Sequence, residues 1–547
     1  MTTFYPHTRQ LGAESGVQLN PVRDNTGGFG PDGSDQVVST VGRFKRGRRD
    51  IPFLVNRGNL RAKLGPPEST VVSELNEAYV HIYEAVNNGA AEAVVARLTS
   101  AAAAEKYAVF RLDTSGEGDS FSAVDEPPTG SNYVLYLRDL ECFSDGIRIE
   151  INAIEAVGAD GTTPAPTKMV TIRVREPDGT LRAEATGSLD TAAVDDYGQD
   201  AFVGTLLASQ LDTLELTAAA GAEIPPTAEC YGTNPDGTEK LVTSGEAPIV
   251  LFVEGGSAYM NTDYDRVVAA LEKSPFDYGY CVSAGSRAVA LISKLATMNV
   301  RANRQFIVDI PGNLPPLAAK TFRDQLSIDS HYVQFYWAPL RADDPVNGGK
   351  AMLGFSGYQA GLRCARNAQV NAYGLAPKHF PIAGVDWPIA RTRVVPLYSP
   401  DSLEMSMLAK SQINPVLFER YNSGGKYVFL DSLSGARVAN SYKKLITVAE
   451  MSSSIDDIVV KFCKEALQKP MEIAIDKTEK FLKDKVFDPA RSTGWLVASD
   501  EPALGNKGWA FSVQRSKVKP AEDMIVDYWL HYDGVARAIH VTQTISR

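Results

Sequence analysis

Apolar positions along the chain follow two periods, and the change from one to the other divides it. Val71, Val72, Leu75, Ala78, Tyr79, Ile82, Tyr83 and Val86 recur at helical spacing, predicting one apolar helix face from about Ser69 to Val86. Asn87-Asn88-Gly89 supplies a stop, after which Glu92 to Leu98 reads as a strand, as Val37 to Phe44 does before it. From about Thr114 to Gly255 the period drops to two. Ile147-Arg148-Ile149-Glu150-Ile151 and Val170-Thr171-Ile172-Arg173-Val174 alternate between Gly, Pro, Asp and Thr punctuation, the pattern of half-buried strands. A β-rich domain inserted into an α/β core is the expectation.

From about Thr262 helices and strands take turns. Helix Tyr264–Glu272 precedes strand Tyr278–Val282, helix Arg287–Met298 precedes strand Gln305–Ile310, and helix Leu317–Leu326 precedes strand Tyr332–Trp337. This order predicts a parallel sheet covered on both faces. Pro415–Arg420 and Lys426–Asp431 flank Tyr421-Asn422-Ser423-Gly424-Gly425, a hairpin with a five-residue loop. Ile455, Ile458, Val459, Phe462, Cys463 and Leu467 form a helical stripe capped by Ser453 or Ser454, and Pro470 opens a further helix whose outward positions include Lys477, Lys480 and Lys483. Met524–Tyr532 and Val535–Ile545 alternate around Asp533-Gly534, predicting a terminal hairpin with an unpaired edge. Residues 1–34 are rich in Gly, Asn and Pro with few apolar anchors, the composition of a mobile arm or of one that folds onto a partner.

Composition narrows the class. At 547 residues, 44% apolar and 22% charged, the chain is globular and long enough for several cores. A net charge of −11 disfavours direct nucleic-acid binding or an anionic membrane surface as the main task. No apolar run approaches a bilayer span, and the N-terminus has no secretory h-region. The five cysteines, Cys142, Cys230, Cys281, Cys364 and Cys463, lie far apart without a CxxC pair and read as reduced, buried thiols; intermolecular disulfides are the minority reading.

Candidate chemistry is sparse. Gly28-Phe29-Gly30-Pro31-Asp32-Gly33 fits the dinucleotide spacing, but a polar stretch precedes it, strand character follows it, and Pro31 removes an amide; it reads as a loop. Gly349-Lys350-Ala351 and Gly425-Lys426-Tyr427 both lack the Ser/Thr of a phosphate loop. Asn261-Thr262-Asp263-Tyr264-Asp265 begins like a calcium loop, but Arg266 stands where glycine is needed, so helix capping is expected. The six histidines show no metal spacing, and His81 reads as a surface or satisfied side chain on a helix. Asp309, at a strand end, is the one position suited to a ligand crevice. No catalytic, cofactor or metal residue is assigned.

Several segments, in order, resemble the contractile tail sheath proteins of bacteriophages and related injection machines. They are Gly16-Val17-Gln18-Leu19, Val41-Gly42-Arg43-Phe44-Lys45-Arg46-Gly47, Ile51-Pro52-Phe53-Leu54-Val55, and Asn88-Gly89 through Arg97. Farther on come Arg304-Gln305-Phe306-Ile307-Val308-Asp309-Ile310-Pro311, Tyr336-Trp337-Ala338-Pro339, Ser356-Gly357-Tyr358-Gln359-Ala360-Gly361-Leu362-Arg363-Cys364-Ala365-Arg366, Ile413-Asn414-Pro415, and Val518 to Ile525. Leu433-Ser434-Gly435-Ala436-Arg437 is plainer than the family pattern, and the middle domain aligns only loosely, through Gly146 to Ile151 and Asp200 to Val203.

The resemblance implies an α/β, multidomain fold: an α/β sheath core assembled from N- and C-terminal segments, an inserted β-rich domain and extended terminal arms. Along the chain these are expected as a linking arm (1–34), a first core segment (35–113), an outward-facing insert (114–255), a second core segment (256–400), a tube-facing C-terminal core (401–522) and a linking hairpin (523–547). The resemblance implies no enzyme and no cofactor. The expected role is a homo-oligomeric virion component, assembled in the bacterial cytoplasm as stacked rings or a helix. It would surround a tail tube protein, meet baseplate and tail terminator proteins, and contract to drive the tube through the host envelope. Val17 and Leu19 at one end, and Val535, Ile539, Val541 and Ile545 at the other, are the expected strand-exchange residues; Lys477, Lys480 and Lys483 are the tube-facing candidates. Two other classes stay open: an α/β nucleotide- or sugar-handling enzyme with a crevice near Asp309, and a secreted adhesin-like protein built on the insert.

Overall fold

The computed structural model describes residues 33–112, 120–130, 133–154, 156–157, 164–224, 248–255, 258–540 and 542–543. They divide into a larger compact unit (residues 34–365, 380–453 and 534–547) and a smaller one (366–379 and 454–533).

The larger unit is organised by one eight-stranded sheet. Its strands are β1 (Val37–Gly42), β2 (Phe53–Val55), β3 (Glu92–Arg97), β4 (Tyr280–Val282), β5 (Gln305–Ile310), β6 (Val333–Trp337), β7 (Ile413–Tyr421) and β8 (Gly424–Phe429), in the order β2-β3-β1-β4-β5-β6-β7-β8. All neighbours pair in parallel except β2 on β3 and β8 on β7. Parallel strands must be covered on both faces, which is why β5 is buried along its whole length. Ile307 faces a cluster with helices α1 (Glu77–Asn88) and Tyr358, Ala360 and Cys364 of helix α5 (Ser356–Asn367); Phe306, Val308 and Ile310 face one with helices α2 (Asn261–Glu272), α3 (Val289–Arg301) and α4 (Pro316–Gln325). The chain winds one way from β1 to β3 and the other way from β4 to β7. The reversal places a topological switch point between β1 and β4.

A third apolar cluster, drawn from residues 108–251, fills the β-rich body. It has a four-stranded sheet (Leu214–Ala218, Leu135–Asp139, Tyr107–Arg111, Ser120–Val124), a three-stranded one (Leu181–Ser188, Met169–Arg175, Arg148–Ala153) and helix Val203–Gln210. Strand Tyr107–Arg111 belongs to this body, although the expected boundary at 114 puts it in the core.

Four local expectations change. Helix α1 starts at Glu77, after a 3-10 turn, rather than at Ser69. Hydroxyl groups intercept the backbone before it: Val71 N donates to Ser69 Oγ (3.2 Å) and Leu75 N to Ser73 Oγ (3.3 Å), leaving Val71 and Val72 outside the helix. The β7–β8 loop has two residues, not five, because Tyr421 pairs with Gly424, whose φ of 105° suits glycine. Helix α6 spans Ile446–Ala466, so Ser453 is interior, its Oγ donating to Ala449 O (2.9 Å) instead of capping.

The fourth concerns the tail. In the smaller unit, helix α7 (Met471–Phe481) runs through a π-helical stretch to helix Asp488–Thr493, followed by a two-stranded ribbon of β9 (Trp509–Arg515) and β10 (Met524–Leu530). The expected partner of β10 was 535–545. It pairs instead with β9, where Trp509, Phe511 and Tyr528 gather around Phe487 at centroid distances of 5.6–5.7 Å. Aromatic packing on one ribbon face outweighs the Asp-Gly turn signal. Residues 533–540 are irregular, and Arg537 is held by a bidentate pair with Asp431 (2.5 and 2.8 Å).

Candidate functional site

The carboxyl ends of the parallel strands are where an open α/β sheet presents ligand-binding groups. Here they present Asp309 from the end of β5. Its Oδ1 accepts from Phe355 N (2.8 Å) and Ser356 N (2.9 Å), and its Oδ2 from Ser356 Oγ (2.5 Å), Gly285 N (3.1 Å) and Ser283 Oγ (3.4 Å). Five donors converge on one buried carboxylate, which caps the start of α5. Beside it, Glu77 accepts from Gly354 N (2.5 Å) and meets His81 Nε2 at 3.2 Å, while His81 Nδ1 accepts from Gly357 N (3.0 Å). Burial would lower the His81 pKa, but the carboxylates of Asp309, Glu77 and Glu84 more than offset it and raise it above its usual value.

Ser356, His81 and Glu77 have the residue types of a nucleophile, base and orienter, yet their bonds are committed elsewhere. The hydroxyl of Ser356 donates to Asp309, and although His81 Nδ1 lies 3.3 Å from it, the lone pair of that nitrogen is taken by the Gly357 amide, so the ring is not free to accept the hydroxyl proton. The adjoining cavity, lined by Glu77, Gly285, Asp309, Gly312 and Gly354, measures about 20 Å³, room for about one water. The cluster fastens α1 and α5 to the sheet. The close approach of these helices explains the small-residue stripe: a Cβ on Gly357 would lie 2.3 Å from His81 O, and one on Gly361 2.8 Å from Ala85 O. Of this network the sequence singles out Asp309, and of the two readings of His81, surface or satisfied, the second holds, since it is buried and bonded; Glu77 and Ser283 carry no signal until the topology brings them together, and Ser356 stands out only as the start of a sheath-like segment.

A second charge-dense region joins the sheet to the β-rich body. The basic run Arg43–Arg49 divides, with Arg46 buried and Arg49 exposed. Arg46 is paired with Asp145 (2.6 Å) and Glu176 (2.7 Å) and lies 4.0 Å over the ring of Phe143; Arg182, paired with Asp139 (2.6 Å) and Glu141 (2.5 Å), lies 4.2 Å over the same ring. Arg97 donates to Cys142 O (2.7 Å), Gly47 O (3.0 Å) and Lys45 O (3.2 Å), and its burial lowers its pKa. Burial also pushes the Cys142 thiol up to about 12, with Glu105 adding to the effect.

The remaining expected site residues scatter. Lys477, Lys480 and Lys483 are exposed on α7 and the turn after it, and none pairs with a carboxylate among the described residues. Val535 is half-buried and Ile539 is 80% exposed, both on irregular chain rather than strand. Val17, Leu19, Val541, Ile545 and Cys230 lie outside the described residues, as does the Gly28–Asp32 string. Both outer edges of the β9–β10 ribbon are unpaired among the described residues, and Trp529 (54%) and Ile525 (38%) are exposed on it. Among the described residues no group of His, Cys, Asp and Glu is arranged to hold a metal ion, and no helix is long and apolar enough to cross a membrane.

No family model matches the chain, and no curated protein matches it in sequence. Solved structures do. The sheath tail protein of Desulfitobacterium hafniense is 12% identical over 94% of this chain and 96% of its own, with a TM-score of 0.48. A chain of the anti-feeding prophage baseplate is 12% identical over 55% of this chain and 78% of its own, with a TM-score of 0.41. A chain of the contracted sheath complex of PVC, an extracellular contractile injection system, is 14% identical over 51% and 75%, also at 0.41. These structural neighbours are tail sheath and contractile-injection proteins. At such scores the likeness by itself assigns nothing to this chain.

Proposed function

We propose that this chain is a structural sheath subunit, which polymerises around a tail tube and contracts to drive that tube through a cell envelope. One observation carries the reading: the sheath-like segments, scattered from Val41 to Pro415, converge as a single frame. They supply the end of β1, then β2, β3, β5, the end of β6, α5 and the start of β7, together with the Asp309 cap that fastens α5. Segments that agree in order and also build one contiguous sheet support a shared architecture more strongly than any short string. The small cavity at Asp309 argues against the enzyme reading, since its roughly 20 Å³ leave no room for a nucleotide or sugar.

Within this proposal the β-rich body faces outward, and neighbours are tethered by their chain ends. The N-terminal arm with Val17 and Leu19, and the segment with Val535, Ile539, Val541 and Ile545, add as strands to a neighbour's sheet, for which the open edges of β9 and β10 are suitable acceptors. An arm of about 30 residues reaches up to roughly 100 Å. Lys477, Lys480 and Lys483 face the tube, where exposed pairs at about 0–1 kcal/mol each would grip weakly and release on firing. Baseplate and terminator proteins close the ends in an assembly formed in the bacterial cytoplasm. Electron microscopy of the purified full-length chain tests the proposal. Tubes or helical polymers are expected; discrete oligomers that turn over a nucleotide or sugar would replace the sheath with the enzyme.

A further inference from the structure

Asparagine is followed by glycine twice in the chain, at Asn88-Gly89 and at Asn347-Gly348. This pairing has chemistry of its own. A glycine amide nitrogen, with no Cβ beside it, can reach back to the preceding side-chain carbonyl carbon and close a cyclic succinimide. The two pairs are held in different ways. Asn88 is the last residue of the twelve-residue helix α1, where its Nδ2 donates to Glu84 O (2.8 Å) and the Gly89 amide to Ala85 O. Gly89 is also pressed against α5, since a Cβ there would lie 2.5 Å from the Ala365 Cβ. Bringing Gly89 N onto the Asn88 side chain means unwinding the last turn of a helix packed on the sheet.

Asn347 sits instead in the turn between the short strands Leu340–Asp343 and Lys350–Ala351, which pair with each other at two positions, Ala342 with Ala351 and Asp343 with Lys350. Asn347, Gly348 and Gly349 are exposed, and both glycines have positive φ (75° and 73°) with open space where a Cβ would stand. Two bonds restrain the reacting groups, and both are long: Gly348 N to Asp344 O (3.2 Å) and Asn347 Nδ2 to Asp344 Oδ2 (3.2 Å). A turn closed in this way on so short a ladder opens locally far more often than a helix end packed on a core.

We propose that Asn347 is a site of spontaneous covalent modification in the folded protein, with water as the only co-reactant, and that Asn88 is spared. Once the turn opens, Gly348 N gives up its proton and bonds to Asn347 Cγ, and the side-chain nitrogen leaves as ammonia. Water then opens the succinimide at either carbonyl. One product is aspartate; the other is an isoaspartyl link, in which the backbone runs through the former side-chain carbon. Either product adds one negative charge to the net −11. The new carboxylate replaces the amide that donated to Asp344, a buried side chain that also accepts from Val346 N (2.9 Å) and Asn347 N (3.0 Å). Like charges then face each other across the former bond, and the turn loosens around Val346, which packs against the cluster shared by α1 and α5. Nothing in this chemistry requires the sheath reading.

The test uses the full-length chain, held in mildly alkaline buffer both native and unfolded in guanidinium chloride. Peptide masses and an isoaspartyl methylation assay are read at both positions. In the native chain Asn347 is expected to convert at least about tenfold faster than Asn88, whereas in the unfolded chain the two should convert at similar rates. The converted native chain should exchange amide hydrogens faster over residues 344–349, with α5 unchanged. Asn347→Gln, at an exposed position, is expected to abolish the acidic species that accumulates on ion exchange and to keep the wild-type unfolding midpoint. Asn88 keeping pace with Asn347 in the native chain overturns the assignment, and so does a native Asn347 that stays intact while the unfolded one converts. Unchanged exchange over 344–349 in the converted chain overturns the link to Asp344.

Discussion

Two buried charge clusters in the larger unit are neutralised by different means. Around Asp309 a carboxylate is surrounded by backbone amides and hydroxyls; around Phe143 guanidinium groups meet carboxylates across an aromatic ring. Amides cannot move without unwinding a helix or strand, so the Asp309 cluster fixes geometry within one body. Side-chain ion pairs tie separate stretches of chain, here residues 43–49 and 139–145, which also share Gly47 N to Glu141 O (2.6 Å) and Ser144 N to Lys45 O (3.0 Å). Neutral donors specify a fold, whereas paired charges hold a seam between folds that each have their own apolar core.

The largest effect expected from this contrast is at Asp309. Asp309→Ala strands five donors in a buried site, and a loss of about 3–5 kcal/mol is expected for the larger unit, read as a drop in its urea midpoint. Asp309→Asn keeps one acceptor oxygen and should cost less. A loss below about 1 kcal/mol for the alanine variant would remove the cluster from its structural role.

Next comes the seam. Arg46→Ala leaves Asp145 and Glu176 facing a bare ring, and a cost of about 2–4 kcal/mol is expected, seen as faster hydrogen exchange in residues 139–145 with α1 unaffected. Arg46→Lys should recover less than half, because an ammonium cannot bridge two carboxylates in a plane while stacking on Phe143. Because the two clusters share no partner, combining Arg46→Ala with Asp309→Ala should be additive within about 0.5 kcal/mol. A larger coupling would mean that they act as one network.

The two regions also differed in how far the sequence disclosed them. The sheet was legible because parallel strands demand apolar runs: Phe306-Ile307-Val308 and Phe335-Tyr336-Trp337 announce themselves. The insert was legible through alternation, as in Val170, Ile172 and Val174, which all reach the core. Asp309 could be read as a strand-end acid, but its donors come from residues 283–285 and 355–356, which only the topology makes neighbours. The seam was hidden for another reason. A basic run reads alike whether its partners are phosphates outside or Asp145 and Glu176 across the fold. The terminal hairpin failed because strand pairing is decided by what a face packs against, here Phe487, and not by a turn dipeptide.

The smallest effect expected is a pH dependence that only the Asp309 cluster should show. His81 faces Glu77 and Glu84 from its own helix, Asp309 from β5, and the Ser356 hydroxyl and Gly357 amide from α5; Arg391 neutralises Glu84 through a bidentate pair (2.6 and 2.7 Å). The geometry is that of the neutral ring, with Nδ1 accepting from Gly357. The surrounding carboxylates nonetheless raise the His81 pKa against the effect of burial. Protonating the ring gives up the Gly357 bond, and if the carboxylates outweigh that loss the native state keeps the proton to a higher pH than the unfolded chain, which releases it near pH 6.5. Stability from this source is full below about pH 6.5 and is lost as pH rises through the higher folded value. His81→Gln keeps a donor and an acceptor without titrating, so the fall in unfolding midpoint above about pH 6.5 should flatten in that variant, by about 1.4 kcal/mol for every pH unit that separates the folded from the unfolded value. Arg46→Lys, with no titrating group introduced in this range, should keep the wild-type slope. A His81→Gln variant with an unchanged slope would show that the ring stays neutral and that the Gly357 bond, not the carboxylates, decides its state.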